Sequence, residues 1–295
     1  MEAERFHSPV LLNQVLSFLL TQANGTVCDC TVGDGGHSLA ILEATSPRGK
    51  LIGIDRDGEA IERAKKRLGG FGERVTLVQE EFGNLDAVLR SLGSPRVTGF
   101  LFDLGASWSQ IEDRERGFSY QRDGPLDMRM DKRKGRSALQ LVNELPGLEL
   151  SQMISAYGEE RRAKTIADLI CASRERRKIR TTGELSLLIR RAVPRRRALK
   201  ALSRTFQALR IAVNDELSQL ERGLERALRL LPTGGRTLVI SYHSLEDRIV
   251  KQMFKKREAE GRIRILTKKV VKPSREEIRG NLRARSARLR VAQRV

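Results

Sequence analysis

Between residues 26 and 103 short apolar runs alternate with amphipathic stretches, and this order restricts the chain to few folds. "TVCDC" (26–30), "KLIGI" (50–54), "RVTLVQ" (74–79) and "VTGFLFD" (97–103) have strand character, while "SLAILEA", "GEAIERAKKRL" and "NLDAVLRSL" between them carry helical periodicity. Strands joined through helices run parallel, because a crossover of that length returns the chain to the same end of the sheet. The expectation is an α/β fold, with half of a doubly wound parallel sheet in this first part.

After Asp103 the alternation stops. "ERGFSYQRDGPLDMRMDKRKGR" (115–136) is polar, yet it keeps Phe118, Tyr120, Leu126 and two methionines, which predicts a long ordered loop rather than a linker. Helical patterns follow at 149–157, 159–173 and 182–193, the last opened by a capping box of Thr181 and Glu184. From Ser203 the periodicity predicts one long amphipathic helix with Phe206, Val213, Leu217, Leu220, Leu224 and Leu228 on one face, ended by "LPTGG". Strand character returns in "RTLVISYH" (236–243), a helix follows in "SLEDRIVKQMFKKRE", and "RIRILTKKVV" and "SARLRVAQ" read as a closing antiparallel pair. The predicted organisation is a discontinuous sheet domain, 1–111 with 205–295, interrupted by a helical insertion over 112–204.

Strand, glycine-rich turn, helix, strand and terminal acid, in that order, suit an adenosine cofactor at the carboxyl edge of a sheet. In "DCTVGDGGHS" (29–38) the glycines Gly33, Gly35 and Gly36 let backbone approach a ligand, and Asp55 at the end of the next strand can accept hydrogen bonds from both ribose hydroxyls. The spacing also comes close to a dinucleotide fingerprint. Charge separates the two: Asp29, Asp34, Asp55 and Asp103 at one edge repel a pyrophosphate and favour a cationic ligand such as S-adenosylmethionine over NAD.

Asp103 ends the fourth strand ahead of "LGASWSQ", which puts a carboxylate in the crevice where substrate meets cofactor; the plainer alternative is an Asx turn. His243 in "SYHSLED" is either catalytic or a helix cap. Cys28, Cys30 and Cys171 cannot build a disulfide framework, and the "CDC" pair without partners at ligand spacing reads as buried strand thiols, so no metal is expected. Without a signal peptide or an apolar run of spanning length, the expected location is cytoplasmic, with no membrane partner.

The net charge of +19 is lopsided: residues 1–110 hold 11 Lys and Arg against 14 Asp and Glu, and residues 111–295 hold 45 against 23. A polyanion is the implied partner, and an aromatic content of 4% argues against base stacking as the main binding mode. A solvated Arg-rich surface is the bland alternative.

"HSPVLL", "GDGGHS", "GIDRD", "DLGAS", "ERGFSYQRDGPLDMRMD", "YGEERRAK", "SRTFQALRIAVNDEL", "SYHSLEDRIVK" and "RARSARLR" together resemble the bacterial methyltransferase family that modifies N(4) of a cytidine in the decoding region of small-subunit ribosomal RNA. The similarity runs from His7 nearly to the C-terminus. It implies a class I, Rossmann-like methyltransferase sheet with an inserted helical substrate-recognition domain, S-adenosyl-L-methionine as cofactor, and 16S rRNA in the small ribosomal subunit as partner, with no DNA expected. Carried over residue by residue, the family's cofactor contacts fall on Gly35, Gly36, His37, Asp55, Phe82, Asp103 and Gln110. Phe82 and Gln110 come from the resemblance alone. Departures lie near the site: Cys30 where glycine is more frequent, Asp34 for a basic or neutral residue, Trp108 for a small one, Tyr242 for phenylalanine, and no His-Pro pair before the long helix. They bear on substrate fit and rate more than on reaction type. The rival readings are an NAD-dependent oxidoreductase, disfavoured by the acidic edge, and a non-catalytic RNA-binding assembly factor, which leaves that edge without a purpose.

Overall fold

The computed structural model describes residues 9–20 and 24–295, so His7 and Ser8 of the "HSPVLL" stretch lie outside the described residues. The chain forms two compact units, 1–105 with 217–295 and 106–216.

The first unit is built on seven strands: β1 (Thr26–Asp29), β2 (Lys50–Asp55), β3 (Val75–Gln79), β4 (Val97–Asp103), β5 (Arg236–Ser241), β6 (Ile263–Ile265) and β7 (Arg288–Arg294). Their order in the sheet is β3-β2-β1-β4-β5-β7-β6, the class I methyltransferase sheet that the sequence led us to expect. The first five are parallel, while β7 pairs antiparallel with both β5 and β6. Strand order reverses between β1 and β4, the switch point where a crevice opens at the carboxyl edge.

Alternation along the strands divides the core between the two faces of the sheet. Phe100 and Phe102 of β4 pack with Cys28, Val239, Leu220, Leu224 and Phe254 on one side. Leu101 between them packs with Val27, Leu51, Leu238 and Ile240 on the other. Both faces are buried, which is why these strands read as continuous apolar runs. Cys28 and Cys30 are free and buried, as expected, and burial pushes the Cys30 thiol well above its usual range. The closing pair is shorter than "RIRILTKKVV" suggested. Thr267 leaves the ladder and its hydroxyl accepts the Val291 N–H at 2.9 Å, and pairing resumes only at a single bridge between Val271 and Leu289.

The second unit is helical: Trp108–Glu112, Ala138–Glu144, Gly147–Gly158, Ala163–Arg174, Thr182–Ala192 and Ala198–Asn214. The Thr181–Glu184 capping box is present. Leu150, Ile154, Ile166, Ile170, Leu185, Leu202 and Phe206 form its core, together with Phe118, Leu126 and Met128 from the long loop. That loop is ordered by polar anchors. Buried Arg116 donates to the carbonyls of Arg129 and Met130, at 3.1 and 3.0 Å, and Asn214 holds the Met128 carbonyl and the Met130 N–H, each at 2.8 Å.

The predicted long helix is two helices. Asp215 adopts a left-handed conformation with φ 48°, and a new helix, Glu216–Leu230, starts after it. Phe206 therefore belongs to the helical core, and Leu220, Leu224 and Leu228 to the sheet core. A single left-handed residue disturbs hydrophobic periodicity too little to be seen in it, and aspartate is one of the few residues that tolerate this conformation. The compact units consequently divide at 105/106 and 216/217, outside the predicted breaks at 112 and 204.

Candidate functional site

The glycine-rich turn joins β1 to the helix Gly36–Ala44 and lies at the switch point. Gly35 caps that helix with φ 77°, a conformation that a Cβ would strain, and a Cβ on Gly36 would come within 2.9 Å of Pro9 Cγ. Asp29 is a strut beneath the turn: fully buried, it accepts the Ser38 hydroxyl at 2.7 Å and the Thr31 N–H at 3.2 Å. Burial is the largest influence on its carboxyl and raises its pKa.

Asp55 ends β2 with one oxygen taking the Gly33 N–H and the other the Asp57 N–H, both at 2.9 Å. The carboxylate is thus oriented by the turn itself, and each oxygen retains lone-pair capacity for a further donor. Desolvation outweighs these two bonds and pushes its pKa up to about 6. A carboxylate raised in this way gains by receiving hydroxyl donors, which suits a ribose.

At the end of β4 the Asp103 backbone N–H donates to Thr31 Oγ1 at 2.7 Å, tying the two strand ends together. Its Oδ1 accepts the Tyr242 hydroxyl at 2.8 Å, and its Oδ2 lies 3.4 Å from His37 Nε2. His37 is 6% exposed, and neither ring nitrogen makes a hydrogen bond among the described residues. Nε2 has only the ion-pair contact with Asp103, and Nδ1 is a buried polar atom with hydrogen-bonding capacity left over. Asp103 itself remains 24% exposed, so the carboxylate is gripped and still accessible.

The four-acid edge read from the sequence needs correction. Asp34 is neutralised by Arg63, whose Nε lies 2.7 Å away, and Asp29 is buried on Ser38. Asp55 and Asp103 remain, on either side of the turn, and the pair still disfavours an anionic ligand.

The other residues named from the sequence sit as follows. Phe82, half-buried after β3, stacks edge-to-face on Phe102 with centroids 5.5 Å apart. Gln110 belongs to the helical unit, where its side chain accepts the Ser107 N–H at 2.9 Å in a capping box. His243 is the N-cap of the helix Ser244–Ala259: its Nδ1 accepts the Glu246 N–H at 3.4 Å, and Glu246 Oε2 accepts the N–H groups of Tyr242 and His243. Of its two sequence readings the structure displays the cap, and its other nitrogen is 3.2 Å from Glu246 Oε1. His243→Ala is therefore expected to cost about 0.5–2 kcal/mol of stability, measured by thermal unfolding, with a rate defect smaller than that of Asp103→Ala. Thr31 and Tyr242 were not singled out as site residues by sequence reasoning. The usable signal for Tyr242 is its place at the end of β5, the neighbour of β4.

The family model described as the MraW methylase family matches residues 4–295. The chain is 45% identical over 307 residues to ribosomal RNA small subunit methyltransferase H of Halothermothrix orenii, with 98% of each chain covered. It is 46% identical over 309 residues to the protein of that name from Heliobacterium modesticaldum, again with 98% of each covered. With the one from Symbiobacterium thermophilum it shares 47% over 302 residues, 96% of this chain and 95% of that one.

Proposed function

The chain belongs to the MraW methylase family, and from that premise we propose that it transfers a methyl group from S-adenosylmethionine to the N(4) amine of a cytidine in the decoding region of 16S rRNA in the small ribosomal subunit. The observation that carries this reading is the pair of strand-end carboxylates, half-buried Asp55 and partly exposed Asp103, flanking a tight turn that Gly33 and Gly35 form at positive φ.

The residues present fit the cofactor. Asp55 offers oriented acceptors to the ribose hydroxyls, and the Gly35–Gly36 backbone and His37 line the approach. Phe82 supplies an apolar wall for the adenine, and Asp103 offers a carboxylate to the ammonium group. Gln110, which the family resemblance also names, belongs to the helical unit. When bound, S-adenosylmethionine supplies an electrophilic methyl group on a sulfonium. The chain must then present the cytosine amine. Its lone pair is delocalised into the ring, so an acceptor beside the N–H promotes pyramidal geometry and receives the proton as the N–C bond forms. Asp103 is that acceptor or the group that orients the cofactor, and the Leu104–Gly105 backbone and His243 are its helpers.

Comparing nucleosides from the ribosomal RNA of cells with and without the protein by mass spectrometry tests this function. N(4)-methylated cytidine should disappear from the 16S fraction without the protein; unchanged nucleosides would overturn the assignment. Calorimetry should give binding with S-adenosylhomocysteine and none with NAD.

The helical unit is proposed to grip the RNA. Arg190, Arg191, Arg195, Arg196 and Arg197 of "RRAVPRRR" are all exposed, and among the described residues none has an ion pair or side-chain hydrogen bond. In "KRKGR" Arg133 and Arg136 are engaged by Asp131 and Glu144, and in "RERRKIR" Arg174 donates to the Val142 and Leu145 carbonyls. Neutralising the 190–197 cluster should flatten the salt dependence of RNA affinity most, by roughly 0.7 to 0.9 in log–log slope for each phosphate no longer neutralised. An unchanged slope for this cluster would reduce it to solvated surface.

A further inference from the structure

Tyr242 is one residue beyond β5, and β5 lies beside β4 in the sheet. Its hydroxyl donates to Asp103 Oδ1 at 2.8 Å, across 139 positions of sequence. Its backbone N–H donates to Glu246 Oε2 at 2.8 Å, so the capping box of the following helix fixes the residue that carries the phenol. The partly buried ring packs on the sheet core. A phenol held at both backbone and ring has few ways to move, and the carboxylate that it grips inherits that rigidity.

We propose that Tyr242 is a positioning residue for Asp103: its hydroxyl fixes the rotation of the carboxylate, so that Oδ1 is occupied and Oδ2, beside His37, faces the reaction. The inference rests on the reading of Asp103 as the carboxylate that serves cofactor or amine. A free carboxylate at a strand end rotates about its χ2 axis and offers either oxygen, and one strong donor removes that freedom at no cost in charge. The phenol remains a donor under working conditions. Burial first, and then the charge of and bond to Asp103, raise its pKa well above the usual tyrosine value; Glu246 adds to this, and Arg283 opposes it.

The test is a double-mutant cycle read by single-turnover methylation and by calorimetry with S-adenosylhomocysteine. Tyr242→Phe, which keeps the ring, should lose about tenfold in kcat/KM, the value of a hydrogen bond to a charged acceptor. In an Asp103→Ala background the same substitution should change almost nothing. The loss should also fall on the parameter that Asp103→Ala affects, KM for the cofactor or kcat at saturation. A loss of equal size in both backgrounds would make Tyr242 a packing residue and overturn the proposal, as would wild-type activity of Tyr242→Phe. If Asp103→Ala itself left both binding and methylation unchanged, the reading of Asp103 would fail first. An alkaline absorbance titration of the protein's three tyrosines gives a check that does not depend on Tyr242→Phe folding. In Asp103→Ala one tyrosine should ionise at lower pH than in the wild type, and an unchanged titration counts against the bond.

Discussion

Asp103→Ala is expected to lose at least a hundredfold in single-turnover methylation of the small-subunit substrate, since removing a general base typically costs about 10²–10⁴ in rate. The size of the effect follows from where the residue stands. Asp103 ends the strand at the switch point, its backbone is tied to Thr31, and its two oxygens face Tyr242 and His37. Among the described residues no other accessible carboxylate occupies this end of β4. Two origins of the loss are separable. If Asp103 chiefly holds the cofactor, saturating S-adenosylmethionine should restore the rate; if it acts on the amine, the defect should persist at saturation. Wild-type rates in both Asp103→Ala and His243→Ala would remove the acceptor from this edge altogether.

Asp55→Ala should weaken S-adenosylhomocysteine binding by at least tenfold in calorimetry, because each hydrogen bond to a charged acceptor is worth about 1.5–3 kcal/mol. The same residue sets a pH dependence whose sign is fixed by its environment. Burial raises the Asp55 pKa from 3.8 in the unfolded chain to about 6 in the fold, so ionisation opposes folding at this position and the opposition is complete above pH 6. Ribose hydroxyls, if they bond the ionised form as proposed, would oppose that preference. Cofactor affinity should therefore be full above about pH 6 and fall by up to one log unit per pH unit as Asp55 protonates below it. Asp55→Asn should lose this component of the pH profile. Affinity that stays flat from about pH 7 to about pH 5 in the wild type would remove Asp55 from the ligand.

The parallel half of the sheet was legible because strand runs and helix faces are local patterns, and Gly33, Gly35, Gly36 and Asp55 were legible because a turn and a strand end are local too. So was the acidic character of the edge, although not its distribution. That Arg63 cancels Asp34 depends on a helix turn 29 positions away. The resemblance reached Phe82 and Gln110, whose residue types carry no local signal for a ligand, and the capping-box role of Gln110 became visible only in three dimensions.

Periodicity failed at Asp215, where one left-handed residue ends a helix without interrupting the pattern of Leu217, Leu220 and Leu224. It also left His243 undecided, because a cap and a catalytic group share the same place at the end of a strand. By itself the sequence determined the fold class, the acidic residues proposed for the cofactor edge and the cationic second half, all of which follow from neighbouring residues and from summed charge. Only the tertiary structure decided that Asp103 meets Tyr242 through one oxygen and His37 through the other, because strand order, which no local pattern encodes, places β4 between β1 and β5.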